Sequence, residues 1–378
     1  MFNKPPLDGI KVIDFSTMIA GPLAASMLAD YGADVIKVEP TSSCDLMRFV
    51  GTSHNGISGI FALNNRGKRS ISIDMASDDG IRNVRKLMRT ADIVIHNHRH
   101  GVMESRGIGY EDVVDEMPNL IYVHVQGYGR YGEMRTLKAY DNMVQAMTGM
   151  GFAQNDPPEV VHQLVCDKVT AHVVAQAVMA ALITRGRDSR GQKVEVSLLD
   201  AAAHFMWQDL GMDAAVLNSD AIRAQTIDKY YRTVHLKDGY CAVTPASDDE
   251  FRIWMETIGL TEILNDERFS SIGARFANAA ALIQLTDNAA RNTTVSQVRT
   301  AIREHSLPAA IFETVDDMPS NQQIMSNNIF HDTVTTSGTR IRQARLAPIF
   351  SNTPIRISNP APHYGEHTEQ ILGELDEH

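Results

Sequence analysis

The sequence has 378 residues, which is longer than one average domain and long enough for about two domains with separate cores. Hydrophobic residues make up 43% of the chain and charged residues 21%, a composition typical of globular proteins. The formal net charge of -11 repels nucleic acids and anionic membranes, so we expect neither as a partner. Any site for a phosphate-bearing ligand must therefore be built from a local cluster of basic residues.

The three cysteines, Cys44, Cys166 and Cys241, lie far apart in the sequence. None is paired with another at metal-ligand or redox-motif spacing, which predicts reduced thiols and a cytoplasmic location. No apolar run approaches the roughly 20 residues that span a bilayer, and the N-terminus lacks the apolar core of a signal peptide. We therefore expect no membrane association.

The N-terminal part of the chain predicts a βαβ unit. Strand 10–15 is followed by a helix over 22–31, rich in alanine, leucine and methionine, and then by strand 34–39. The turn between the first strand and the helix contains one glycine, Gly21, whereas a dinucleotide-binding turn needs three. The pattern therefore indicates a doubly wound sheet without a nicotinamide cofactor.

The same alternation continues through the first half of the chain. Further strands are predicted over 69–74, 92–96 and 120–125, with a helix over 77–89. We therefore predict an α/β protein with a large, doubly wound, Rossmann-like parallel-sheet domain. In such a sheet, ligands bind at the C-terminal ends of the strands.

The pattern changes in the second half. A hairpin over 231–243 and amphipathic helices over 248–258, 277–291 and 295–305 predict a smaller α+β domain. The predicted organisation has four parts, with a return segment that packs on the large domain. These parts are the large domain 1–218, a linker 219–229, the small domain 230–330 and the return segment 331–378.

The loop after strand 92–96 carries three alternate histidines, His96, His98 and His100. Three imidazoles could ligate a metal ion. No nearby carboxylate or cysteine completes a site in the sequence, so we expect solvated or hydrogen-bonded histidines and no metal.

The stretch from Val165 to His172 places an acidic residue, Asp167, at the start of a long apolar helix. Apolar residues recur after it at steps of three and four, which predicts a helix over 167–184 with one buried face. An aspartate at a helix start is usually a cap. It could also be a nucleophile, and its position alone does not distinguish the two roles.

Several short motifs in a fixed order resemble the class III CoA-transferase family, whose members include formyl-CoA and carnitine CoA-transferases. The resemblance covers nearly the whole chain. The motifs lie at residues 6–14, 20–22, 32–40, 65–70, 191–192 and 365–368. Each motif is weakly specific, but their shared order is highly specific.

The resemblance implies a mechanism and a site. It makes Asp167 the catalytic nucleophile and assigns Lys68, Arg99, Arg106, Lys138 and Tyr140 to the coenzyme A site. Acyl-CoA and a small carboxylic acid would be the substrates, no cofactor would be tightly bound, and two chains would form an interlocked homodimer. Loop 97–101, Asn-His-Arg-His-Gly, departs from the family's Asn-aromatic-Arg-Pro-Gly.

Two other functions fit parts of the pattern. The α-methylacyl-CoA racemase group is similar in fold but uses a histidine and an aspartate for proton transfer, and this chain has Tyr140 where the histidine falls. A tyrosine with a pKa of about 10 is a poor base at neutral pH, which favours the transferase. A non-catalytic CoA-binding protein would have no need of Asp167. Since aspartate has a reference pKa of about 3.9, we expect Asp167 to be ionised at pH 7.

Overall fold

A computed structural model describes residues 4–222, 231–355 and 359–377. The chain divides into two compact units, one formed by Met1–Ser219 with Asn327–His378 and the other by Asp220–Ser326. Most of the predicted linker 219–229 lies outside the described residues.

The first unit is built on a six-stranded sheet whose strands all run parallel. Its spatial order is β5-β2-β1-β6-β7-β8, so the connections reverse direction between β1 and β6. This order is that of a doubly wound dinucleotide fold, and the predicted fold class is confirmed. The six strands of this sheet are β1 Lys11–Asp14, β2 Asp34–Pro40, β5 Lys68–Ile73, β6 Ile93–His96, β7 Ile121–Gln126 and β8 Lys193–Ser197. Two short strands, β3 Ser53–His54 and β4 Ile57–Ser58, form a separate antiparallel pair.

Helices cover both faces of the sheet, and two separate hydrophobic cores result. The helices of this segment are α1 Ala20–Asp30, α2 Gly59–Asn65, α3 Asp78–Arg89, α4 Tyr110–Val113, α5 Asp141–Met147, α6 Met150–Gln154, α7 Val165–Asp188, α8 Leu198–Trp207 and α9 Met212–Ala215. Side chains of α1, α5, α7 and α8 fill one core, and side chains of α3 and α4 fill the other. The stretch that follows β8 forms two separate helices, α8 and α9.

Helix α7 has 24 residues and is, among the described residues, the one helix long and apolar enough to cross a bilayer by length and composition. The sequence predicts this helix over 167–184, but charged residues near both ends keep its uninterrupted apolar run below the roughly 20 residues of a membrane span. Its buried side chains include Ala171, Val174, Ala175 and Val178, as the periodicity predicts. They pack into the core beside α1 and α8. A core helix of a soluble protein also meets the length and composition criteria.

The second unit has a three-stranded antiparallel sheet and five helices among its described residues. Its elements are β9 Val234–His235, β10 Tyr240–Val243, α10 Asp248–Thr257, α11 Ile272–Ala277, α12 Ala279–Ala290, α13 Val295–His305, β11 Ala309–Ile311 and α14 Gln322–Ser326. Its core is centred on Phe251, Trp254 and Phe269.

The C-terminal segment completes the first unit. It forms the hairpin β12 Phe330–Val334 and β13 Arg340–Ala344 and ends in α15 Thr368–Asp376. Ile371 and Leu375 of α15 enter the second core of the first unit, and Arg69 pairs with Glu374 at 2.7 Å. The edge strand β5 is therefore covered by the last helix of the chain.

Candidate active site

Asp167 is the third residue of α7, because the helix begins at Val165, two residues earlier than predicted. The residue that precedes the helix is Leu164, whose side chain makes no capping hydrogen bond. The expected capping position of Asp167 is therefore corrected: its carboxyl group lies within the first turn. There, helix N–H groups are short of intrahelical partners and favour negative charge.

Asp141, which the sequence did not single out, lies next to this turn. Its Oδ2 atom accepts a hydrogen bond of 2.9 Å from the backbone N–H of Asp167. Asp141 is the first residue of α5 and is 4% exposed. Acidic residues from the first turns of α5 and α7 therefore lie next to each other in a partly buried environment.

A close approach of the backbone brings this segment over the sheet. A Cβ atom at Gly127, just after β7, would lie 2.4 Å from the Cβ of Ala139. Only glycine leaves room for that contact, so the chain before α5 can cross the end of β7. The crossing places Asp141 near α7, at the edge of the sheet where ligands bind in doubly wound folds.

The acid pair changes the protonation of Asp167. Burial and the charge of Asp141 together raise its pKa from 3.8 to about 7. The ordinary pKa of aspartate predicts a fully ionised carboxylate at pH 7, and the structure corrects this, because the raised pKa lets Asp167 keep a proton at a higher pH than an ordinary aspartate. The neighbouring Cys166 thiol stays neutral, since burial and the same carboxylates raise its pKa to about 12.

Lys138 and Tyr140 lie immediately before α5. Both side chains are exposed, and Tyr140 is the residue that precedes the helix. The chain connection through Asp141 brings these two residues close to the start of α7 in the fold. They are available to a ligand bound at this edge.

Lys68, by contrast, lies inside the protein. Its Nζ atom donates to Asp14 Oδ2 at 2.7 Å, to Pro22 O at 2.9 Å and to Asn65 Oδ1 at 2.8 Å. Its side chain has no exposed surface. All three N–H donors of the ammonium group are occupied, so a contact with CoA would require Lys68 to leave these acceptors.

Arg99 and Arg106 follow β6. Arg99 is exposed, and Arg106 is half-buried and acts electrostatically on His98. Asn97 ties their loop to the β1–α1 turn, since its side chain accepts from Thr17 N–H at 2.9 Å and donates to Thr17 O at 2.7 Å. The two loops that flank the reversal of the sheet are thus joined.

The histidines of this loop form a cluster with His124 on β7, a residue that sequence reasoning did not include. The rings of His96 and His124 stack at 4.2 Å between centroids, and the rings of His100 and His124 meet edge to face at 4.9 Å. Burial lowers the pKa of His124 to about 4 and that of His96 well below its usual value. Within the described ranges, no group of three or more ligating side chains has the geometry to hold a metal ion.

The site thus combines an acid pair at the ligand-binding edge of a parallel sheet with exposed basic residues near by. The comparisons with known proteins identify the class of the protein. The chain matches the sequence model of CoA-transferase family III over residues 7–368 and belongs to that family. It is a family III CoA-transferase.

Proteins of several organisms resemble it along the whole chain. A succinate–glutarate CoA-transferase of Agrobacterium fabrum is 32% identical, with 99% of this chain and 96% of that protein aligned. Human succinyl-CoA:glutarate CoA-transferase is 25% identical over 99% of this chain and 87% of its own. The crystal structure of a CaiB/BaiF family protein from Brucella suis superposes with a TM-score of 0.87 at 30% identity and covers 99% of this chain and 100% of that one.

Proposed function

We propose that Asp167 is the nucleophile of this transferase and that CoA passes from an acyl-CoA to a carboxylic acid through covalent aspartyl intermediates. The observation that carries the proposal is the acid pair at the start of α7. The Asp141 carboxylate binds the backbone N–H of Asp167 there and acts electrostatically on its side chain, and no ion pair between either acid and a cation is found in the described parts of the chain.

The reaction would proceed in four exchanges. A carboxylate oxygen of Asp167 attacks the thioester carbonyl and expels CoA thiolate, which leaves an acyl-aspartyl anhydride. The thiolate then attacks the aspartyl carbonyl, releases the first acid and forms an aspartyl-CoA thioester. The acceptor carboxylate attacks that thioester, expels CoA thiolate and forms a second anhydride. The thiolate finally attacks the acceptor's carbonyl, forms the new CoA ester and releases the Asp167 carboxylate. Asp167 returns to its starting state, and the thioester is conserved.

The charge of Asp141 favours these exchanges. Burial destabilises the Asp167 carboxylate and raises its pKa, and the charge of Asp141 adds to this effect. An anhydride or thioester at Asp167 carries no charge, so each covalent intermediate removes the repulsion. The same raised pKa requires the reaction to accelerate as the pH rises through about 7, because only the carboxylate attacks.

Some of the backbone N–H groups at the start of α7 are already bonded. The N–H of Val165 is bonded to Gln163 O at 2.9 Å, and that of Asp167 is bonded to Asp141. An oxyanion that forms at Asp167 would have to compete for these donors or use donors from elsewhere. We propose that Lys138, Arg99 and Arg106 bind the phosphates of CoA, which acts as a substrate.

We propose short dicarboxylic acids as acceptors. The support comes from relatives named for succinate and glutarate, D-citramalate and L-malate transfer. The test is a panel in which succinyl-CoA is the donor and glutarate, malate, propionate and benzoate are acceptors. We expect new CoA esters from the dicarboxylic acids with ping-pong kinetics. If no acid of the panel accepts CoA, the proposed substrate class is wrong.

Trapping tests the intermediate itself. Hydroxylamine should inactivate the enzyme only while acyl-CoA is present, because it attacks the anhydride or thioester and converts Asp167 to a hydroxamate. Mass spectrometry of the peptide that contains Asp167 locates the modification. Inactivation that does not depend on acyl-CoA, or a hydroxamate at another residue, would contradict the proposed nucleophile.

A carboxylate with a pKa near 7 could also act as a base, so one further experiment separates the two roles. A 2-methylacyl-CoA is incubated in deuterated water without an acceptor acid. We expect no deuterium at the α-carbon, because Tyr140 stands where a second proton-transfer group would be needed. Rapid exchange would indicate proton transfer instead.

We also propose that the protein is a homodimer. Large apolar side chains on the α5–α9 region of the first unit are exposed, and monomers rarely expose many such side chains together. The exposed fractions are 49% for Met147, 66% for Phe152, 68% for Ile183, 51% for Phe205 and 55% for Trp207. Light scattering at micromolar concentration should give twice the chain mass of 41.7 kDa, and a monomer would contradict the proposal.

A further inference from the structure

We propose that Gln145 is a positioning residue for the transfer reaction, because its amide holds the Asp141 carboxylate and the loop before α7 where Asp141 faces Asp167. The inference rests on the proposed role of Asp167 as nucleophile. Gln145 lies one turn after Asp141 on α5, so the two side chains share a face of the helix.

The Gln145 side chain is buried, with 1% exposure. Both the nitrogen and the oxygen of its amide form hydrogen bonds. Its Nε2 atom lies 2.6 Å from Asp141 Oδ1, 3.2 Å from Val161 O and 3.0 Å from Gln163 O, and it donates to these acceptors. Its Oε1 atom accepts from the N–H of Val161 at 2.8 Å. One side chain thus connects α5 to the loop that leads into α7.

The two oxygens of Asp141 divide the contacts between them. Oδ1 accepts from Gln145, and Oδ2 accepts from the backbone of Asp167. A buried carboxylate needs hydrogen-bond donors to remain in place. Without the amide of Gln145, Oδ1 loses the donor that the structure gives it, and the carboxylate is free to turn away from α7.

Among the described charged side chains near the start of α7, Asp141 is the one that shifts the pKa of Asp167. Asp141 is the charge that acts on Asp167, and the ammonium of neighbouring Lys168 is bonded to Gln163 Oε1 at 3.0 Å. The other titratable side chains on elements packed against α7 are Asp30 of α1, Asp200 and His204 of α8, Tyr122 and His124 of β7, and Lys193 and Glu195 of β8. Asp30 is paired with Arg66, and Glu195 with Lys193.

The test is the pH dependence of kcat/KM for acyl-CoA between pH 5 and 9. In the wild-type enzyme, kcat/KM should rise through about pH 7. Asp141→Asn removes the charge at constant shape and should move that midpoint down by about one to two pH units. Gln145→Met, similar in length but without an amide, should move it in the same direction by about half a pH unit.

Val144→Ala is the matched control. Val144 neighbours Gln145 on α5 and is fully buried, but it is an apolar core residue. Its truncation should lower the melting temperature and leave the midpoint of the pH profile unchanged. A purely structural role of Gln145 would produce this same pattern in Gln145→Met, and that result would overturn the inference.

The other variants keep the test decisive if Gln145→Met does not fold, and they separate a failure of the positioning role from a failure of the proposed nucleophile. If Gln145→Met does not fold, an unmoved midpoint in Asp141→Asn overturns the inference, because Gln145 is proposed to act through Asp141. If Asp167→Asn remains active, the proposed nucleophile is wrong whatever Gln145 does. An inactive Asp167→Asn with an unmoved midpoint in both other variants rejects the positioning role alone.

Discussion

The first unit contains two groups of buried charged residues, and they differ in whether the neighbouring charge has the opposite sign or the same sign. Behind the β1–α1 turn, each buried cation has an acidic partner: Lys68 with Asp14 at 2.7 Å, Lys37 with Asp45 at 3.0 Å and Arg48 with Glu39 at 2.6 Å. At the start of α7, the Asp141 carboxylate binds the backbone N–H of Asp167 instead, and its negative charge acts on the Asp167 carboxyl group. Opposite charges in the interior stabilise each other, whereas like charges raise the energy of the ionised state.

The pKa values record the difference. Although burial alone would raise the pKa of Asp14, Lys68 and Lys37 hold it below its usual value, and Asp14 stays ionised. Burial and Asp141 raise the pKa of Asp167 to about 7. The cations keep Asp14 ionised even though burial lowers the pKa of Lys68 to about 8, whereas Asp167 has no cation among the described residues to stabilise its carboxylate. That contrast distinguishes a structural carboxylate from a reactive one more clearly than burial does.

The largest expected effect is on the reactive side of the comparison. Asp167→Asn keeps the shape of the side chain but removes the nucleophile, so we expect transfer to fall by about 10⁴-fold or more. Asp200→Asn is a matched control, since Asp200 is also the third residue of its helix but is exposed. Steady-state transfer assays of both variants check this, and an Asp167→Asn variant with more than about one hundredth of wild-type activity would refute the role.

On the structural side, Lys68→Met leaves Asp14 buried without its cation. We expect the free energy of unfolding to fall by about 3–5 kcal/mol, measured by urea denaturation. Lys86→Met is the same change at an exposed pair with Asp376 and should cost less than about 1 kcal/mol. A stable Lys68→Met variant with weakened CoA binding would instead place Lys68 in the ligand site, as the family resemblance implies.

The raised pKa of Asp167 also predicts that the free energy of unfolding of the wild-type protein depends on pH. The pKa of Asp167 is higher in the folded protein, about 7, than its ordinary value of 3.8, so the folded state binds more protons between these values. Asp167 therefore makes the protein less stable as the pH rises from about 4 to 7, by at most about 4 kcal/mol. We expect Asp167→Asn to be more stable than the wild type at pH 8 and equal to it at about pH 4. Urea denaturation at both pH values checks this, and equal stability at pH 8 would contradict the raised pKa.

The smallest effect concerns Lys138, the exposed counterpart of Lys68. Lys138→Ala should raise KM for acyl-CoA by about threefold to tenfold at low salt, and the effect should shrink as salt screens the charge. Lys86→Ala removes another exposed lysine and should leave KM unchanged. An unaltered KM in Lys138→Ala at low salt removes this residue from the CoA site.

Periodicity and motif order were sufficient for much of the fold. The buried face of α7 and the strands of the parallel sheet could be predicted, because each depends on local sequence. The role of Asp167 as nucleophile comes from the family resemblance and stays a prediction. The burial of Lys68 could not, since a lysine is normally exposed and its partner Asp14 lies 54 residues away. The role of Asp141 could not be predicted from the sequence for the same reason. Its importance comes from a contact between α5 and α7, and a single carboxylate at a helix start gives no signal of a neighbour 26 residues later.

The last helix has a consequence for how the protein is made. Helix α15 supplies Ile371 and Leu375 to a core whose other members come from the first half of the chain. During synthesis, residues 371–375 leave the ribosome long after the rest of this core, so the first unit cannot close the core until they have emerged. The second unit, continuous over Asp220–Ser326, can complete its own core sooner. The part of the chain that is synthesised first should therefore be the last to finish folding.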